Sequence, residues 1–221
     1  MTVPPLILAH RGDWSLAPEN SLAAFAAAAS RAGVDGVEFD VRAAQDGTPV
    51  VIHDFNLHRV QGVAGRVRRL SIEELAALGV PSLASVLDVL PEPCFLDVEL
   101  KEDVADAAVP VLARARGDPP RRTVVSSFLG SALGSLARVA PDWPSWLLTR
   151  RLGRREIADA LAMGCAGLAV EWPALRPVTV ELVRAAGLQL ATWTVESPAE
   201  LDRVAALGVD VICVDPAALP D

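Results

Sequence analysis

Three observations predict an α/β fold of the (β/α)8 TIM-barrel type. Short apolar, strand-like runs alternate with helix-like runs almost to the end of the 221-residue chain. One of those runs follows its predecessor too closely for a helical crossover, and setting it aside leaves eight parallel strands. Polar and titratable residues (His10, Asp40, Lys101, Ser127, Glu171, Trp193 and Asp215) fall at or near the carboxyl ends of the strands, where barrel sites are built. The amino ends carry Gly, Val, Leu and Pro instead.

The elements follow in order. LILAH (6–10) is the first strand, and an Ala-rich helix runs from about Ser21 to Ala32, ended by Gly33. Ser21, or Asn20 before it, can cap that helix. GVEFDV (36–41) and VVIHD (50–54) are separated by a few residues that include Asp46-Gly47, so they should pair as an antiparallel hairpin. VVIHD is then an accessory strand outside the barrel. Residues 55–81 interrupt the alternation with an Arg-rich stretch, Arg59, Arg66, Arg68 and Arg69, followed by SIEELAAL, where Ser71 and Glu74 fit a capping box. This reads as a small insertion over one end of the barrel, with its arginines either solvated or guiding an anion. Beyond it come helix 82–90, strand 94–100, helix 103–116, strand 123–128, helix 130–140, strand 145–149, helix 154–163, strand 167–171, helix 177–186, strand 188–195, helix 198–207 and strand 210–215. Only PAALPD remains for a last helix, which is a single turn or missing.

A chain of this length suits one domain, residues 1–221, burying about 70% of the surface its unfolded form exposes. The net charge of −8 and pI near 4.9 argue against a nucleic-acid binder, which should show a basic face. An anionic ligand must therefore be drawn by a local positive site. Cys94, Cys165 and Cys213 lie in or beside apolar strands without metal-ligand spacing, as expected of reduced, buried thiols. No signal-like segment precedes the first strand and no apolar run approaches ~20 residues, so a cytoplasmic location without a membrane span is expected. Oligomeric state is not legible.

The chemistry concentrates between His10 and Asp54. In Glu38-x-Asp40 the strand period of two places both carboxylates on one face, about 7 Å apart along the chain. Such a pair is either two acids on the solvent face of a half-buried strand or a binding site for a hard cation, since like charges repel unless a cation or proton intervenes. His10 ends the strand before and His53 the strand after, which favours the cation. Glu99 and Lys101 share one face of FLDVEL-K, and Lys101 is the only lysine beside nineteen arginines. An ammonium there acts as a compact point charge.

The ordered set HRG (10–12), PENS (18–21), E-x-D (38–40), Asp-Gly (46–47), VVIHD (50–54), L-x-R (57–59), E-x-K (99–101), SSF (126–128), WTV (193–195) and V-D-x-I-x-V-D-P (209–216) resembles the glycerophosphodiester phosphodiesterase family over nearly the whole chain. The resemblance implies a divalent cation, Ca2+, Mg2+ or Mn2+, on Glu38, Asp40 and Glu99, with His10 and His53 as general acid and base. It also implies that Arg11 and Lys101 hold the phosphate of a small phosphodiester. Where such chains have asparagine after WTV this one has Glu196, and where they have a threonine pair after L-x-R it has Val60-Gln61.

Trp193, Phe128 and Trp172 are candidates to wall the pocket against the carbon part of a substrate, with core packing the alternative for Trp172. Glu171 and Asp215 are placed to hydrogen-bond substrate hydroxyls, to support Lys101, or to cap the following helices. His58 belongs to the solvated insertion, and Ser126-Ser127 lack a Ser-His-Asp arrangement. The expected reaction is hydrolysis of glycerophosphodiesters to glycerol 3-phosphate and an alcohol. The alternatives are lysophospholipid cleavage of the phospholipase D type and a non-catalytic phospholigand-binding barrel, which the intact residue set speaks against.

Overall fold

The computed structural model describes residues 4–220. Its sheet closes on itself. Eight strands run parallel: β1 (Leu6–His10), β2 (Gly36–Ala43), β4 (Phe95–Leu100), β5 (Thr123–Ser127), β6 (Ser145–Thr149), β7 (Gly167–Glu171), β8 (Gln189–Val195) and β9 (Val211–Val214). The first pairs with the last, Leu8 against Cys213, and with β2, His10 against Glu38. The short β3 (Pro49–Val51) lies antiparallel on the free upper part of β2, with Val41 opposite Val51, as its tight connection requires.

Helices cover the outside: α1 (Leu22–Ala29), α3 (Leu83–Val89), α4 (Ala105–Arg116), α5 (Gly130–Val139), α6 (Arg154–Ala162), α7 (Pro177–Ala185) and α8 (Pro198–Ala205). Each is shorter than the sequence pattern suggests by a residue or more, because terminal turns are spent on caps. Ser21 accepts from the amide of Ala24 and so caps α1, which begins at Leu22. A single 3-10 turn, Pro216–Ala218, stands in the place of an eighth outer helix.

The hydrophobic core has two layers separated by the staves. Outward-facing residues such as Val37, Phe39, Val98 and Val125 pack with the helices, while Leu8, Val124, Trp146, Leu148, Ala169, Ala191 and Val211 fill the barrel floor. Because the staves are buried on both faces over most of their length, the strands read as nearly continuous apolar runs, with a run of inward polar positions at the top of β1, β2 and β4. Close approach of staves at the floor explains Gly36: a Cβ there would sit 2.1 Å from the carbonyl oxygen of Phe95.

The insertion contains a 3-10 turn (Val67–Arg69) and α2 (Ile72–Ala77), whose Ser71–Glu74 capping box forms as the spacing suggests. It has a small core of its own, with Ala44, Val50, Ile52, Leu57, Val67, Leu75 and Val80 in a cluster apart from the barrel's. Among the described residues no helix is long and apolar enough to cross a membrane. Trp172 lies in a 3-10 turn on the outer side, against the helix-facing core and under the guanidinium of Arg203, 5.1 Å from its ring centre. Its role is packing, and the expectation that it walls the pocket is corrected: strand alternation gives the inward position to Glu171, one residue earlier.

Candidate active site

The site is the set of inward positions at the top of β1, β2 and β4, together with the loop that β3 leads into. Alternation fixes the faces. Leu8 and His10, then Glu38 and Asp40, then Asp97, Glu99 and Lys101 are each two apart on one stave, and the register sets Asp40 beside Glu99. One oxygen from each of Glu38, Asp40 and Glu99 can be chosen so that all three lie within 4.8 Å of one another, and all three residues are buried.

The sharp exit from β1 brings the next residues over this cluster. Arg11 and Gly12 are both left-handed, at φ 58° and 82°. At Gly12 an added Cβ would meet the backbone carbon of Ala24 at 2.7 Å, so only glycine permits the turn. The Arg11 amide donates to the Glu38 carbonyl at 2.9 Å, and its guanidinium reaches Glu19 at 2.8 Å and approaches Asp40 at 3.3 Å. Asn20, left-handed at φ 57°, donates from Nδ2 to Asp40 Oδ2 at 2.9 Å. Lys101 lies 2.8 Å from Glu99 and 3.5 Å from Asp40.

The acids do not share one environment. Burial, then repulsion from Asp40, Glu99 and Asp97, pushes Glu38 well above the usual carboxylate range. Burial and then Asp40 push Glu99 up to about 7, although the Lys101 ammonium opposes them. Asp40 goes the other way, since Arg11 and Lys101 outweigh its desolvation. Its Oδ1 is nevertheless buried without a hydrogen bond. A carboxylate oxygen with no hydrogen bond and only the Lys101 ammonium near it, at 3.5 Å, set between two acids that resist ionising, is a poor arrangement for the protein alone and a good one around a hard cation. The donor set, all oxygen, suits such an ion.

Two imidazoles flank the cluster. Nδ1 of His10 lies 2.6 Å from Asp215 Oδ1, and Nδ1 of His53 lies 2.7 Å from Asp54 Oδ1. A carboxylate only accepts, so each Nδ1 carries the proton and each Nε2 is left to the pocket, that of His10 at 3.8 Å from Glu38. Burial holds His53 below its usual range, with Asp40 opposing. The His53 carbonyl is fixed by Arg42 Nε at 2.8 Å.

Asp54 is tied in turn by Arg59, which also forks onto Glu19 with bonds of 2.7 Å each. Arg59 thus bridges the loop after β1 to the loop after β3, and the expectation of a solvated or substrate-guiding arginine is corrected at this position. The two acids that hold it draw it inward from the insertion. His58 is exposed, as its place in the insertion suggests. Asp215 holds His10; it does not support Lys101.

One cavity, about 650 Å³ with its mouth, is lined by His10, Arg11, Glu38, His53, Glu99, Lys101, Phe128 and Trp193 among others. That is the volume of a small-molecule site. Asp40 lies just beneath this surface, 1% exposed. Glu171 is not among the lining residues. It follows Ala169 on the inward face of β7 but sits one step higher, at the rim. Glu196 is exposed on the loop after β8 and does not line the cavity either.

Sequence reasoning passed over two charged lining residues, Asp97 and Arg150. Asp97 accepts from Ser126 Oγ at 2.6 Å and burial pushes it up to about 7. Its parity with Glu99 was a usable signal. Arg150, directly after β6, shares parity with Leu148 of the barrel floor.

Residues 10–219 match the glycerophosphoryl diester phosphodiesterase family. A glycerophosphodiester phosphodiesterase of Caldanaerobacter subterraneus subsp. tengcongensis is 29% identical over 95% of this chain and 93% of its own length. A probable glycerophosphodiester phosphodiesterase 2 of Mycobacterium tuberculosis is 31% identical over 97% and 88% respectively. Among solved structures, an Oleispira antarctica phosphodiesterase in complex with the product sn-glycerol-3-phosphate superposes with a TM-score of 0.88 at 25% identity, covering 97% of this chain and 94% of its own.

Proposed function

The chain belongs to the glycerophosphoryl diester phosphodiesterase family and is a phosphoric diester hydrolase, and from that premise we propose that it cleaves glycerophosphodiesters to glycerol 3-phosphate and an alcohol with the aid of a divalent cation and two histidines. The observation that carries this reading is the placing of two Nδ1-anchored imidazoles at one pocket whose floor holds three mutually repelling carboxylates. The Oleispira relative's complex with sn-glycerol-3-phosphate supports the glycerol half of the substrate.

Glu38, Asp40 and Glu99 would hold the ion, which as Ca2+, Mg2+ or Mn2+ supplies Lewis-acid stabilisation of phosphoryl charge. Arg11 and Lys101 stand over the same carboxylates, so they balance the acid cluster and present donors to the phosphate oxygens. Their ion pairs hold them in place before substrate arrives, which lowers the cost of organising the site. His10 and His53 offer Nε2 atoms for proton transfer: one accepts a proton from the attacking hydroxyl and the other donates to the departing alkoxide. Asp215 and Asp54 keep both rings in the tautomer this requires and stabilise the imidazolium form. The nucleophile is either a hydroxyl of the glycerol itself, giving a cyclic phosphodiester that water then opens, or water attacking the phosphorus directly. Phe128 and Trp193 wall the side away from the acids.

The test is release of glycerol 3-phosphate from a panel of glycerophosphodiesters by protein stripped of metal and then reloaded with Ca2+, Mg2+ or Mn2+. Activity should return only with a cation. His10→Ala and His53→Ala should each reduce kcat by about 10²- to 10⁴-fold. Near-normal turnover by both variants, or by stripped protein in chelator, would remove the mechanism.

A further inference from the structure

On the side of the cavity facing away from the acids, the tops of β5, β6 and β8 bring together Phe128, Arg150 and Trp193. The Trp193 and Phe128 rings meet edge to face, with centres 5.5 Å apart. The guanidinium of Arg150 lies over the Phe128 ring, 5.0 Å from its centre. The last registered pair of β6 and β7 is Thr149 with Val170, so Glu171 is the next acid along β7, yet the Arg150 guanidinium lies over Phe128 and forms no ion pair with that acid. Among the described residues no carboxylate forms an ion pair with it, whereas Arg11 and Lys101 in the same cavity are both paired.

An aromatic pair at the mouth of a phosphodiester site would ordinarily suit a quaternary ammonium, which binds ring faces through the quadrupole. Here the Phe128 face already carries a cation of the protein's own. A trimethylammonium group brought to that position meets like charge and has lost one of its two rings. A carboxylate or phosphate meets an uncommitted planar donor fork.

We propose that Arg150 is the specificity determinant for the alcohol half of the substrate, and that the enzyme favours glycerophosphodiesters whose head group carries an anionic group, carboxylate or second phosphate, over those bearing choline. This rests on the reading above, in which the glycerol and phosphate lie against the cation site. In-line displacement then sends the leaving alcohol away from the nucleophile, across the cavity. The apolar edges of Phe128 and Trp193 cover the carbon atoms of that alcohol, and Arg150 receives its charge. Glu171, in register with Trp193, is the competing possibility, since it would favour a cation. The geometry sets it outside the lining, with Arg150 between it and Phe128.

The experiment compares kcat/KM for four diesters on the same cation-loaded protein. Glycerophosphoserine offers a carboxylate beside an ammonium, and bis(glycerophospho)glycerol a second phosphodiester with no cation; glycerophosphoglycerol is the neutral reference and glycerophosphocholine the cationic one. One or both anionic substrates should exceed glycerophosphocholine by about tenfold or more, the scale of one charge-assisted hydrogen bond, and which of them does so identifies the group that Arg150 prefers. Arg150→Ala should collapse that ratio, Arg150→Lys should keep part of it, and Arg150→Glu should reverse it. A ratio taken within each variant is insensitive to how much of that variant folds. Equal use of choline and anionic diesters by the wild type, or a ratio unchanged in Arg150→Ala, overturns the proposal while leaving the phosphodiesterase reading intact. Failure of the wild type to cleave any of the four overturns both.

Discussion

At the scale of single residues, the acid cluster has a cost that an ion would remove. In the cation-free protein Asp97 and Glu99 are both raised to about 7, from ordinary values of 3.8 and 4.5. The folded state therefore keeps protons that the unfolded chain has shed between about pH 4 and pH 7. Their contribution to stability is whole below pH 4 and is lost as pH rises through 7. Glu38 is raised too and acts in the same sense. His53, lowered from 6.5, acts in the opposite sense. The lowered acids Asp40, Glu19 and Asp54 contribute stability that is lost only as pH falls below their ordinary values of 3.8 to 4.5. The urea midpoint of stripped protein should thus fall between pH 5 and pH 7.5, and added divalent cation should restore it most at the higher pH, where its ligands are ionised. Asp97→Asn keeps an acceptor for Ser126 and should flatten the slope. A midpoint that climbs with pH in chelator would contradict this account.

At the scale of elements, the pocket depends on two loops joined by one side chain. Arg59 joins Glu19, beside Asn20 and Arg11, to Asp54, which anchors His53. Arg59 is about half exposed, so the worth of its bridges to stability is small. Its effect should appear in catalysis. Arg59→Ala is expected to leave the melting temperature within a few degrees but to lower kcat by about tenfold or more, because a misplaced general acid or base is costly. Arg59→Lys, which offers one point donor where a fork is needed, should fall between. A variant with unchanged kcat would show that His53 needs no such support.

What the sequence made legible also sorts by scale. The strand-end histidines, the Glu38–Asp40 parity and the shortness of the Asp46-Gly47 connection are local signals, and the barrel, its hairpin and its insertion follow from them. Contacts that arise only when the barrel closes were not legible. Asp215 meets His10 across 205 positions because β9 seats beside β1, and no local pattern distinguishes that pairing from support for Lys101. Arg59 sits among three other arginines of a loop, and only the fold shows that two acids claim it. Trp172 and Trp193 look alike in sequence; alternation of the strand ends puts one outside and one inside.

At the scale of the whole molecule, the −8 charge surrounds a cavity whose positive groups are few and mostly committed. Selection of substrate then belongs to that cavity and not to long-range attraction, which salt would screen in any case. The hydrophobic interior is divided as well. The barrel holds two contiguous layers, while the insertion and one face of the hairpin that leads to His53 rest on a separate small cluster around Leu57 and Leu75, Val51 alone of β3 joining the barrel's core. Such a division allows one part to open while the other persists. On gentle warming, catalysis should disappear before the staves come apart, with amide protons of residues 55–80 exchanging first and the far-UV signal nearly intact. Cooling would then return full turnover without refolding of the barrel, so the thermal limit of this hydrolase is set at its edge and not in its trunk.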